Sequence, residues 1–155
     1  MLSLQEISDR LEIQDLLARY SHAVDTHDWE MFVQLFTTDA VIDYVEMGGP
    51  RGDVASTRDF LAQVMPTFKA YVHLVGLPYI VIEGDTAKAR TLCHNPMVFG
   101  DAEGQSFTCS LWYVDTIVRT ADGWRISDRY EEKSHVLNPP PPFPHQQEQG
   151  TVTTG

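Results

Sequence analysis

Apolar positions in the first part of the chain recur at helical spacing, while those in the second half alternate. Ile7, Leu11, Ile13, Leu16, Leu17, Tyr20 and Val24 follow one another at the intervals of an amphipathic helix. Ser3 followed by Glu6 is a capping-box pattern and opens that helix, which is predicted to run to about Asp25. Asp28 is a suitable N-cap for a second helix carrying Trp29, Phe32, Leu35 and Phe36, which Thr37-Thr38-Asp39 is predicted to end. Residues 40–46 read as a short strand and residues 48–52, rich in glycine, as a loop. Asp53 then caps a third helix whose stripe is Phe60, Leu61, Val64 and Met65, with Pro66 ending or kinking it.

From there the pattern is that of strands. Residues 71–82 are β-branched and aromatic, broken by Gly76 and Pro78. Gly84-Asp85 is a turn, residues 86–99 a long strand, and 100–104 a loop. A second long strand covers 107–119, Ala121-Asp122-Gly123 is a tight hairpin turn, and the last strand covers 124–135. The four prolines at 139–142 cannot enter a sheet interior, so one domain over residues 1–137 is followed by a proline-rich, polar tail, 138–155. Helices first and antiparallel strands last is the segregated α+β arrangement. A long curved sheet needs cover on its concave face, and three helices supply it, leaving a cavity suited to a small ligand.

Composition narrows the partners. A chain of 155 residues buries roughly 70% of its unfolded surface and needs neither a disulfide nor a metal to fold. The formal net charge of −11 argues against binding nucleic acid or anionic membrane surfaces. No apolar run approaches the roughly 20 residues of a membrane-crossing helix. The N-terminal stretch has no basic segment followed by an apolar one, so the expected location is cytoplasmic. Cys93 and Cys109, the two cysteines, lack zinc-site spacing and read as buried free thiols that could face each other on paired strands.

Two residues stand out for chemistry. Asp25 lies where the first helix gives way to the second, although a carboxylate at a helix C-terminus opposes the helix dipole. It is either a turn-forming residue or a carboxylate turned into the cavity. His73 shares a strand face with Tyr71 and Val75 in an apolar stretch. It is either a core histidine satisfied by backbone or a general base, with a carboxylate fixing its tautomer. Alternation in residues 86–99 puts Lys88, Arg90 and His94 on the outer face and Ala89, Thr91, Cys93, Asn95 and Met97 on the inner one. Asn95 is therefore the expected pocket residue and His94 an outward one. His22, His27, His135 and His145 read as surface residues.

The runs Tyr20-Ser21-His22-Ala23-Val24-Asp25, Asp25-Thr26-His27-Asp28-Trp29 and Phe36-Thr37-Thr38-Asp39-Ala40 resemble the start of SnoaL-like domains, within the nuclear transport factor 2-like (cystatin-like) superfamily. The likeness is nearest the branch of scytalone dehydratase, hexachlorocyclohexane dehydrochlorinase and the bile-acid dehydratases, and covers about residues 5–137. It implies a cone-shaped α+β barrel with a strongly curved mixed or antiparallel sheet. It also implies a cofactor-independent, metal-free lyase acting on a small cyclic, largely apolar molecule of aromatic, polyketide or steroid type. Asp25 and His73 would be the proton-abstracting pair, with Tyr20 and Arg129 as further catalytic groups and Tyr44 and Asn95 contacting substrate. Val24 departs from scytalone dehydratase, which has tyrosine there. Alternatives on the same scaffold are an isomerase or polyketide cyclase, and a non-catalytic ligand-binding or dioxygenase small-subunit-like protein. Relatives imply a homo-oligomer, trimer or dimer. Tyr20 has a second reading as a helix-face aromatic, and Arg129 as one of a row of strand charges with Arg125 and Glu131. Tyr20 and Asp25, five residues apart, differ by about 140° around an ideal helix. They share a cavity only if the helix unwinds before Asp25 or the cavity wraps its end.

Overall fold

The computed structural model describes residues 1–100 and 105–139. The first helix, α1 (Leu4–Thr26), starts as its capping pattern dictates, with Ser3 Oγ accepting from the Glu6 N–H at 3.1 Å. Its buried stripe is Asp9, Ile13, Leu16, Leu17, Tyr20 and Val24. Ile7 and Leu11, expected in that stripe, face solvent instead. Asp9 occupies the inner face because Arg119 and the Trp124 indole N–H donate to its carboxylate. His27 caps the helix in the left-handed conformation, φ 58°.

Asp28 caps α2 (Trp29–Gln34), accepting from Met31 N–H at 2.9 Å. Thr37, Thr38 and Asp39 do not terminate this helix. They lie inside strand β1 (Phe36–Asp43), which starts earlier than expected and yields to a 3-10 turn, Val45–Met47. The short β2 (Arg51–Gly52) follows, and Asp53 caps α3 (Val54–Val64). Pro66 sits in the 3-10 turn Met65–Thr67 that ends the helix, since proline supplies no N–H to continue it.

The β-rich stretch 71–82 is interrupted at residues 76–78 as expected and again at Val72-His73, giving three strands with an earlier start: β3 (Phe68–Tyr71), β4 (Leu74–Val75) and β5 (Tyr79–Glu83). All three pair antiparallel with successive parts of β6 (Thr86–Phe99). β7 (Ser106–Thr120) and β8 (Gly123–Leu137) complete the long hairpin, turned at Gly123 with φ 99°. The order is β2-β1-β8-β7-β6-β3, mixed because β1 runs parallel to β8. The result is a curved, unclosed eight-stranded sheet with the helices over its concave face. Inward positions on β6 and β7 are Ala87, Ala89, Thr91, Cys93 and Asn95, then Phe107, Cys109, Leu111, Tyr113, Asp115 and Ile117. Cys93 pairs with Leu111 and Cys109 with Asn95, so the two free thiols are two register positions apart rather than opposite. Burial pushes the Cys93 thiol up to about 12 and Cys109 to about 11. No helix among the described residues is long and apolar enough to cross a membrane.

Candidate active site

The break between β3 and β4 falls at Val72-His73, which removes the His73 N–H from the sheet ladder. Asp25, at the last turn of α1, takes that N–H through Oδ2 at 3.1 Å. Its other oxygen, Oδ1, lies 2.6 Å from His73 Nδ1. A carboxylate can only accept, so Nδ1 carries the ring proton. Two donors from one residue offset the unfavourable dipole at the helix end. The His73 side chain is 8% exposed and that of Asp25 24%, so the histidine faces the interior and the carboxylate stands behind it. His73 Nε2 then holds a lone pair, and Asn95 Nδ2 donates to it at 2.8 Å. Asn95 Oδ1 is buried with no partner among the described residues, an acceptor open to a ligand.

This row ends in an apolar pocket of about 100 Å³. A cavity of roughly 150 Å³ accommodates benzene, so the space limits a ligand to a single small ring at most. Val24, Leu61, Phe68 and Leu111 supply apolar wall, while His73, Asn95, Tyr20, Tyr44 and Glu131 supply polar groups. Helix α1 remains helical through Asp25, and the cavity wraps its end; Tyr20 lines the pocket while Asp25 reaches it through His73.

Tyr20 and Tyr44 share a hydrogen bond between their hydroxyls. Burial pushes the Tyr20 phenol up to about 12 and Tyr44 well above its ordinary value, so both stay neutral donors. Tyr44, expected within a strand, instead follows β1 and is pinned by backbone bonds with Pro50 and Gly49. Arg129 does not line the pocket. Its guanidinium is fully buried, bonded to both oxygens of Asp115 at 2.6 and 2.9 Å. Its Cζ lies 3.8 Å over the Tyr20 ring and 4.4 Å from the Tyr113 ring centre. Burial alone would lower its proton affinity; Asp115 more than restores it. Arg129 is thus neither an exposed strand charge nor in direct reach of a ligand, but a cation backing Tyr20.

Glu131, read from the sequence only as a neighbour in a row of charges, lines the pocket. Burial pushes its carboxyl from 4.5 to about 8, against the pull of Arg129 and with a further push from Asp43. The sequence signal was parity: Arg129 facing inward puts Glu131 on the same face. On β6, Asn95 is 3% exposed and faces the pocket, whereas His94 faces outward and contacts Ser110 Oγ at 3.0 Å. His22, His27 and His135 are exposed; His145 lies outside the described residues. His27 nevertheless stands at the site, stacked on Trp29 and bonded to Tyr71, the ring next to His73. Among the described residues, no three His, Cys, Asp or Glu side chains assemble as metal ligands.

Helices over the concave side of an open sheet, with one enclosed polar row in an apolar pocket, define the nuclear transport factor 2-like, cystatin-like architecture. Within it, the chain belongs to the SnoaL-like domain family, whose pattern matches residues 5–130. The uncharacterized protein Rv2910c of Mycobacterium tuberculosis is 47% identical over 133 residues, spanning 86% of this chain and 90% of that one. An NTF2-like protein with a cystatin-like fold from Novosphingobium aromaticivorans is 26% identical, covers 84% of each chain and superposes with a TM-score of 0.71. Hexachlorocyclohexane dehydrochlorinase LinA-type3 from Novosphingobium barchaimii is 16% identical, with 86% of this chain and 92% of that chain covered and a TM-score of 0.77. That last likeness is one of fold.

Proposed function

We propose that the protein is a cofactor-independent lyase of dehydratase type, in which His73 removes a proton from a small, cyclic, largely apolar substrate. The observation that carries this reading is the row Asp25–His73–Asn95 ending in an apolar pocket. Asp25 sets the tautomer that leaves Nε2 basic and stabilises the imidazolium once the proton arrives. Asn95 occupies the place where that proton will come from, so substrate displaces its amide from Nε2 or approaches beside it. The Tyr20–Tyr44 hydroxyl pair donates to an oxygen that gains negative charge, and Arg129, over the Tyr20 ring, makes that donation stronger. The low-polarity walls strengthen each of these interactions.

An isomerase or cyclase would share the proton abstraction and differ only in whether a group departs; product mass separates them. A non-catalytic binding protein has no use for a 2.6 Å carboxylate–imidazole contact beside its ligand. The test is His73→Ala against cyclic hydroxyketones and their halogenated analogues. General-base loss is expected to cost roughly 10²–10⁴-fold in turnover. Activity within about threefold of the unaltered protein would remove His73 as the base.

A further inference from the structure

Elimination of a hydroxyl needs two proton movements, and the Asp25–His73 pair provides for one. Hydroxide is a poor leaving group, so the departing oxygen must receive a proton, and a second group acting as acid lets both transfers occur together. Glu131 is the carboxyl that lines the same pocket as His73. It projects from β8 opposite Tyr113, whose partner on β6 is Thr91, four residues along from Asn95, so the backbone positions of Glu131 and Asn95 stand about 16 Å apart at about 4.8 Å per strand and about 3.3 Å per residue. Both side chains line the same pocket.

We propose that Glu131 is the acid of this site, handing its proton to the leaving oxygen while His73 takes the first, and that the substrate class is an uncharged, single-ring β-hydroxy carbonyl compound. The proposal rests on the lyase reading above. The Glu131 carboxyl has no hydrogen bond to any described residue, although the side chain is partly buried. Arg129, two positions along the same face, is committed to both oxygens of Asp115 and forms no ion pair with it. The other titratable groups around it are Tyr20 from α1, Tyr113 from β7, Asp43 from β1, Tyr44, and the thiols of Cys93 on β6 and Cys109 on β7, which burial keeps protonated. The three phenols are neutral, and Asp43 opposes a second negative charge. Burial and Asp43 therefore keep the Glu131 proton in place up to a pH of about 8. An acid that titrates near working pH is best matched to protonating a leaving group.

The balance closes. The C–H bond α to the carbonyl breaks and its proton goes to His73 Nε2. The electron pair becomes the new C=C bond as the β C–O bond breaks. That oxygen takes the Glu131 proton and departs as water, leaving imidazolium and carboxylate, which are reset by return of one proton from His73 to Glu131. A charged carboxylate or phosphate ligand is disfavoured, because among the described residues no lysine or arginine lines the pocket and its walls are largely apolar.

The experiment uses Glu131→Gln, which keeps size and hydrogen bonding but has no acidic proton. Infrared difference spectra between the unaltered protein and this variant report the acid carbonyl of Glu131 without any substrate. Turnover is then compared on 3-hydroxycyclohexanone and 3-chlorocyclohexanone, which give the same enone, with His73→Ala as background. The expected result is an acid band at pH 7 that fades with a midpoint near 8. The hydroxide-to-chloride turnover ratio is expected to fall roughly 10²-fold in the variant, because chloride departs without a proton. A missing acid band at pH 7, or equal losses on both probes, overturns the role of Glu131 alone. If neither probe is turned over faster than by His73→Ala, the lyase reading falls, and the acid role falls with it.

Discussion

Replacing Glu131 with glutamine removes one proton-binding group whose affinity differs between the folded and unfolded chain. In the folded protein its carboxyl titrates at about 8, against an ordinary 4.5. Between those values the folded state holds a proton that the unfolded state has released. Stability from this group is therefore complete below about pH 4.5, declines as pH rises, and is gone once pH passes about 8. Each tenfold difference in proton affinity is worth about 1.4 kcal/mol, so the ceiling is about 5 kcal/mol. Partial solvent access to the side chain lowers the expected loss to about 2–3 kcal/mol. In a chain of this length that is roughly 5–10 °C in Tm. The assay is urea and thermal unfolding of both proteins at pH 5, 6, 7, 8 and 9, followed by circular dichroism. Other groups titrate alike in both, so the difference between the curves isolates Glu131. It should move against the unaltered protein from pH 5 to 8 and then level off. A flat difference across that window would show that Glu131 is ionised like an ordinary surface glutamate, and the reasoning about its burial would be wrong.

The remaining expectations concern the groups behind the pocket wall. Asp115→Ala leaves the Arg129 guanidinium buried and unpaired, which should cost about 3–5 kcal/mol in urea unfolding, whereas Asp115→Leu combined with Arg129→Met should cost less than the single change. A loss below about 1 kcal/mol for Asp115→Ala would mean that water reaches the pair. Gly49→Ala places a methyl group 2.7 Å from Tyr44 Cβ, so the Tyr44 ring must shift and its contact with Tyr20 must lengthen. The expected outcome is about 1–3 kcal/mol of lost stability and weakened ligand binding by calorimetry, and unchanged values for both would show that this loop yields freely.

Local rules carried the sequence reading a long way, and the places where they stopped have physical causes. Ser3, Asp28 and Asp53 act as the helix caps their residue types and positions indicate, because capping depends on atoms within three residues. Alternation placed Asn95 inward and His94 outward, because β6 and β7 pair without interruption along that stretch. The same rule fails on β8. Trp124 and Ile126 face inward, which by strict alternation would turn Asp128 and Tyr130 inward as well. A bulge at Ser127 inserts one residue opposite Thr116 and Ile117 and reverses the faces beyond it. Arg129 is buried and Glu131 partly buried as a consequence, and Tyr130 is exposed. Nothing in Gly123-Trp124-Arg125-Ile126-Ser127-Asp128 announces that extra residue, so resemblance could bring Arg129 into the site while periodicity left Glu131 among the surface charges. The bulge also explains why the inner face of β8 carries two such different groups in succession, Glu131 on the pocket wall and Arg129 behind it. It turns two consecutive inward positions of one strand to charged residues, and the fold then treats them oppositely. Asp115, directly across from Arg129 in the register, keeps that cation ionised. Tyr113, directly across from Glu131, offers no charge, and the carboxyl keeps its proton instead. The contrast between Asp115 and Tyr113 on β7 thus determines which of the two becomes a structural cation and which a titratable acid.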